Sequence, residues 1–338
     1  MEETLKYTYT PLPEPIPITE QEWAEGTLPI LHIRTMTYMH ENFIRECIEG
    51  ILMQKTTFPV QVLIHDDAST DKTAEIVKEY ELKYPKLIKA YYQEANTYSK
   101  IDKNERTKLR EAFNNWRTGK YEAICEGDDY WTDPLKLQKQ VNFLEANPDY
   151  VICYHDVKAI NEVGSVIMES KIGKENQRDF SGDELSYNRP FIMPLSVVFR
   201  NLSIIWPEES KYVLNGDTFR FSILGQYGNG KYIHDILPGN YRYHSGGIWS
   251  KISNQQKTIA HITTFYWMYQ YYFRIGDINR AQSYLKIMLD LVLKIDSSLK
   301  SHVSKVESNV LDLSQFTTKS LVKILINRIY NKLSSRLK

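Results

Sequence analysis

Three acidic side chains, Glu126, Asp128 and Asp129, fall within four positions, shortly after the mostly apolar run Tyr121–Ile124. The run reads as the end of a buried strand. Carboxylates so close together repel one another unless a positive charge sits among them. Hard oxygen ligands at a strand end suit Mg²⁺ or Mn²⁺, and such ions bridge to substrate phosphates. A solvated acidic turn capping the next helix is the alternative. It accounts for Asp133-Pro134, a good N-cap followed by a residue suited to the first helical turn, and leaves Glu126, Asp128 and Asp129 unexplained.

The elements that must position these groups alternate. Strand candidates fall at 28–33, 60–64, 87–92, 121–125 and 150–154, and helix candidates at 41–53, 72–84, 108–116 and 135–144. Such alternation predicts a mostly parallel α/β sheet covered on both faces. Ligands bind such sheets outside the carboxyl ends of the strands. The second strand ends in His65-Asp66-Asp67 and the fourth in the Glu126 cluster, so both acid groups belong on one rim. No Gly-x-Gly-x-x-Gly follows the first strand and no Gly-Lys-Ser/Thr loop exists, which argues against dinucleotide and P-loop enzymes.

Further on, 161–187 is polar and reads as loops, 191–199 returns to the core, a helix starts near Asp217, and 231–237 is a last strand. From 255 the chain reads helical. The stretch 319–338 carries Lys319, Lys323, Arg328, Lys332, Arg336 and Lys338 without an acid, and Leu321, Val322, Leu325, Ile329 and Leu333 at helical spacing. Such a helix suits an anionic membrane surface or its own domain. The expected division is an irregular lead-in (1–27), a main domain (28–250, with halves 28–158 and 159–250) and a helical region (251–338).

At 338 residues, with 42 basic and 42 acidic side chains, no overall field points to nucleic acid. Cys47, Cys125 and Cys153 are far apart, each in or beside an apolar run, and read as buried thiols in a reducing cytosol. No basic-then-apolar leader opens the chain and no run reaches bilayer length. A cytoplasmic protein, soluble or at the inner face of the membrane, is expected.

Thr37-Tyr38, Ile64-His65-Asp66-Asp67-Ala68-Ser69-Thr70-Asp71 and Gly119-Lys120-Tyr121 leading to Glu126-Gly127-Asp128-Asp129 together resemble the family-two inverting glycosyltransferases of GT-A fold. The resemblance covers residues 28–250. Gly50-Ile51-Leu52-Met53-Gln54 and Trp131-Thr132-Asp133-Pro134-Leu135-Lys136-Leu137 look like members that build bacterial surface polysaccharides. The resemblance implies a nucleotide-sugar donor, with UDP as the nucleotide, and a glycan or lipid-linked acceptor. Thr37 and Tyr38 would border the base. Asp67, or less directly Asp66, would accept the uracil N–H. Glu126 and Asp128 would serve the ribose and diphosphate, and Asp128, Asp129 and His244 would hold Mn²⁺ or Mg²⁺. Asp217 would be the catalytic base, and Lys100 a phosphate contact. The family's usual Asn after Thr-Tyr is here Met39, the first acid of its Asp-x-Asp is Glu126, and its Glu-Asp pair is Gly216-Asp217. Two other readings stay open: a sugar-nucleotide-binding assembly partner without turnover, and transfer to a polyprenyl phosphate.

Overall fold

The computed structural model describes residues 7–96, 115–187, 190–202, 204 and 206–295. Its strands are β1 (Ile16–Pro17), β2 (Leu31–Thr37), β3 (Lys55–Thr56), β4 (Val60–Asp66), β5 (Ile88–Tyr92), β6 (Tyr121–Ile124), β7 (Tyr150–Tyr154), β8 (Val157–Ile160), β9 (Val166–Met168), β10 (Val198–Arg200), β11 (Asn229–Tyr232) and β12 (Gly239–Arg242). Its helices are α1 (Ile44–Leu52), α2 (Thr73–Lys83), α3 (Lys136–Ala146), α4 (Gly182–Tyr187), α5 (Gly216–Leu224), α6 (Ile248–Lys251), α7 (Asn254–Arg274) and α8 (Ile278–Ile295).

The alternating apolar runs assemble into a seven-stranded sheet of order β11-β7-β10-β6-β2-β4-β5. All neighbours are parallel except β10, which runs against both β6 and β7. Successive side chains along each strand face opposite ways, and the two faces bury different sets. Leu31, Ile33, Val62, Ile64, Tyr121 and Ala123 pack with Ile44, Ile48 and Ile51 of α1, Val77 of α2 and Leu137 and Val141 of α3. Ile124, Ile152, Tyr154 and Phe199 pack on the other face with Leu185 of α4 and Phe221 and Leu224 of α5. Ile44, Ile48 and Ile51 recur at helical spacing and are wholly buried; each contributes roughly 1.5–3 kcal/mol. A smaller sheet, β12-β8-β9, carries the chain back toward the rim.

Several boundaries differ from those expected. The first strand lies at Leu31–Thr37 rather than 28–33, because β2 sits mid-sheet and is held through Thr37 by pairing with Asp66 of β4. Its polar residues Arg34, Thr35 and Thr37 mask that in an apolar-run reading. The last strand stops at Tyr232 because its partner β7 ends at Tyr154. The polar stretch 161–187 contains β9 and α4, so it is more than loops. Residues 108–114 of the expected third helix, and all of 319–338, lie outside the described residues.

The described chain falls into two compact units. The first holds the strands above. The second combines α7 and α8 with Pro207–Gly216, a segment expected to belong with the main domain. Arg274 of α7 binds both oxygens of Glu209 at 2.7 and 2.9 Å, Tyr212 stacks on Trp267 at 4.5 Å, and Thr264 Oγ1 accepts the Asn215 amide at 3.0 Å. Among the described residues no helix is long and apolar enough to cross a membrane.

Candidate functional site

The rim is built by the pairing of β2 with its two parallel neighbours. Beyond the last residue of β6, the Cys125 amide donates to the Arg34 carbonyl (3.1 Å) and the Gly127 amide to the Met36 carbonyl (2.9 Å). On the other side the Asp67 amide donates to the Thr37 carbonyl at 3.0 Å. The ends of β2, β4 and β6 are thereby laced together, and Thr37, Asp66, Asp67 and the 126–129 turn share one edge. Gly127 is required by that closeness: a Cβ there would lie 2.6 Å from Thr37 Oγ1 and 3.0 Å from His40 Nδ1.

The chain returns to this edge through β12. Tyr130 and Asn240 exchange backbone hydrogen bonds of 3.2 and 2.8 Å. His244 then lies with Nε2 3.0 Å from Asp128 Oδ2, and His40 Nε2 approaches the same oxygen at 3.8 Å. One ligand atom from each of His40, Asp128 and His244 lies within 4.8 Å of the others. Thr37 Oγ1 is 3.2 Å from His40 Nδ1. A proton on Nδ1 donated to Thr37 leaves Nε2 of His40 free to ligate, the usual support of a metal-binding imidazole. Two imidazoles and a carboxylate fit a divalent cation with open positions left for a ligand. Burial opposes ionisation of Asp128, but the His244 hydrogen bond and the nearby His40 hold its carboxyl below the usual range. Burial also pushes the His40 imidazole down, toward the neutral form that a cation needs.

Asp129 does not join this cluster, although the sequence suggested it as a ligand. Its Oδ1 accepts the Arg242 backbone amide at 2.9 Å, and the residue is almost wholly buried. Burial, with Asp128 beside it, pushes its carboxyl well above the usual range. Arg242 braces the turn from below. Its Nε donates to the Asp128 carbonyl at 3.1 Å, and its guanidinium pairs with Glu46 and lies over the Phe43 ring.

Asp66 spends both carboxylate oxygens inside its own loop, on the Ser69 amide (3.0 Å) and the Ser69 hydroxyl (2.5 Å). Asp67 is buried at the strand end, while Tyr38 is 44% exposed. The loops holding them include two left-handed residues, Met39 (φ 56°) and Ala68 (φ 60°). Glu126 is pushed up to about 7, first by burial, then by Asp217 and Asp128, with Arg34 and Arg220 offsetting only part. Asp217 sits half-buried in the first turn of α5. Lys100 lies outside the described residues.

Sequence reading missed His40. Its signal was its place three residues past Thr37, at the end of the strand next to β6. His65 and His155 are held elsewhere, by the Gln93 side chain (2.6 Å) and the Asp156 carbonyl (2.7 Å). All three cysteines are buried free thiols.

A family model described as glycosyl transferase family 2 matches residues 33–197. Uncharacterized protein Rv1520 of Mycobacterium tuberculosis (strain ATCC 25618 / H37Rv) is 42% identical over 171 residues, 50% of this chain and 46% of the relative. The chain thus spans about half the length of such curated relatives. TuaG of Bacillus subtilis (strain 168), a candidate teichuronic acid biosynthesis glycosyltransferase, is 28% identical over 116 residues, 34% of this chain and 42% of that one. Among solved structures, residues 1–349 of TarS from S. aureus match with a TM-score of 0.51 at 16% identity, over 86% of this chain and 76% of that one. At that identity the likeness concerns the fold.

Proposed function

The chain belongs to glycosyl transferase family 2 and has the GT-A architecture expected of it, and we propose that it moves a sugar from a nucleotide sugar, UDP-linked, to a glycan or lipid-linked acceptor in bacterial surface-polysaccharide synthesis. The observation that carries this reading is the convergence of Asp128, His244 and His40 on the rim where β2, β4 and β6 end. A Mn²⁺ or Mg²⁺ ion held by those three side chains would neutralise the charge of a departing nucleoside diphosphate. TuaG, whose name links it to teichuronic acid biosynthesis, supports the polymer-building role.

In this proposal Thr37 and Tyr38 border the base, with Tyr38 offering its exposed ring. Asp67 accepts the uracil N–H, and Asp66 shapes the loop that presents it. Glu126 reaches toward the ribose. Asp217 takes the proton from the acceptor hydroxyl as that oxygen attacks the sugar carbon from the side opposite the diphosphate, which inverts the anomeric centre. Residues 28–158 form the donor half and 159–250 the acceptor half. Asp129 acts by bracing the turn through Arg242.

Calorimetry with a UDP-sugar and Mn²⁺, paired with a product assay, tests these roles. Asp128→Ala is expected to abolish metal-dependent donor binding. Asp217→Ala is expected to keep donor binding and lower transfer by about 10²- to 10⁴-fold. Unchanged donor binding in Asp128→Ala would sink the metal assignment, and full transfer by Asp217→Ala would sink the base.

A further inference from the structure

Below the rim, on the face of the sheet covered by α5, three arginines surround one carboxylate. Arg34 Nε lies 3.3 Å from Glu122 Oε1, Arg117 Nη2 lies 2.6 Å from Oε2, and Arg220 Nη1 lies 3.5 Å from Oε1. The Glu122 side chain is 1% exposed, whereas the three arginine side chains keep 18–21% of their surface in water. Arg220 is sandwiched between the Phe199 and Trp206 rings, 5.4 and 5.7 Å from their centroids.

The charges do not balance. Each guanidinium has five N–H donors, and Glu122 offers two oxygens. The Nε–H groups of all three arginines are buried without a hydrogen-bond acceptor of good geometry. His32 beside them is pushed down to about 4 by burial and supplies no charge. Asp217 and Glu126 are within electrostatic range, but neither makes an ion pair with the three arginines among the described residues. A stabilising role for Glu122 needs one guanidinium; three mutually repelling ones cost desolvation that a single carboxylate does not recover. Burial first, and then the neighbouring Arg34, push Arg220 down to about 10, with Glu122 and Asp217 offsetting part of this.

We propose that Arg34, Arg117 and Arg220 form a binding site for a phosphate oxyanion of a substrate, with Glu122 as its internal counter-ion. Guanidiniums suit phosphate because their planar forks meet its oxygens two at a time. The phosphate comes either from the donor's diphosphate or from a phosphate-bearing acceptor. Assigning it to a substrate rests on the glycosyltransferase reading; the anion site does not.

The test is calorimetric titration of the full chain with inorganic phosphate, in EDTA and at ionic strength fixed with chloride. Saturable binding, roughly millimolar or tighter, is expected. Arg117→Gln and Arg220→Gln should each weaken it at least about tenfold, Arg117→Lys less so, and His244→Ala not at all. No saturable binding, or equal affinity in the arginine variants, overturns the proposal. Should those variants fail to fold, a tungstate soak of wild-type crystals reads the same site. Density between the three guanidiniums supports it, and density only elsewhere refutes it. Repeating the titration with saturating UDP-sugar and Mn²⁺ separates the sources: exclusion of phosphate assigns the donor diphosphate, and continued binding assigns the acceptor. A protein that binds phosphate in EDTA but no nucleotide sugar would overturn the proposed function and leave the anion site standing.

Discussion

Glu122 and Glu126 lie four residues apart on one stretch of chain, and their acidities move in opposite directions. Burial disfavours the charged form of both. At Glu122 the charges of Arg117, Arg34 and Arg220 override that penalty and hold the carboxyl at about 2. At Glu126 burial dominates, Arg34 offsets only part of it, Asp217 and Asp128 add to it, and the carboxyl rises to about 7. The same side chain is a fixed anion within the sheet and a half-protonated acid at its edge. The interior of β6 is arranged for an ion pair, and its rim crowds like charges together.

Removing the interior charge has the largest expected effect. Glu122→Gln leaves three guanidiniums without their carboxylate and should destabilise the fold by about 3–5 kcal/mol, read as a fall in the urea midpoint. The pH dependence follows from the sign of the shift. Glu122 is more acidic folded than unfolded, so its stabilisation is full above the ordinary glutamate range and is lost as pH falls toward about 2. An acid limb that persists unchanged in Glu122→Gln would break the contrast.

The rim glutamate predicts the opposite slope. Its folded form favours the proton, so metal-free protein should lose stability as pH rises through about 7. Glu126→Gln should remove that slope, with a gain on the order of 1–2 kcal/mol at pH 8 after allowing for partial exposure. Thermal melts in EDTA from pH 5 to 8 measure it, and parallel curves for the two proteins would contradict the assignment.

The smallest effect concerns strain at the rim. Met39 holds φ 56°, a left-handed conformation that costs most side chains about 1–2 kcal/mol and that asparagine tolerates. Met39→Asn should stabilise by about 0.5–1 kcal/mol, read as a rise in the urea midpoint at unchanged slope. A loss instead would mean that the Met39 Sδ contacts with Thr70, at 3.4 Å, outweigh the backbone term.

Much of this was legible in the chain. The alternation of β-type and helical periods pointed to the parallel sheet, and the strand-end positions of the carboxylates put both acid groups on its carboxyl rim. The asparagine position of the family motif, occupied here by Met39, marked the left-handed turn without naming it. Less was legible where the sheet's order mattered. Asp129 reads as a ligand beside Asp128, yet the return of β12 presents the Arg242 amide to it and takes it out of the cluster. The place of His40 three residues past Thr37 gains its meaning only because β2 lies next to β6, which makes it a neighbour of Asp128.

By itself the sequence determined the residue types, their facing along each strand and the rim on which the acids gather, because periodicity and turn chemistry act over a few residues. Which imidazoles reach Asp128, and which guanidiniums reach Glu122, was decided by tertiary structure. Except for Arg117, five positions before Glu122, those partners are 88 to 116 positions away, and only strand order and crossover paths bring such distant charges within a few ångströms.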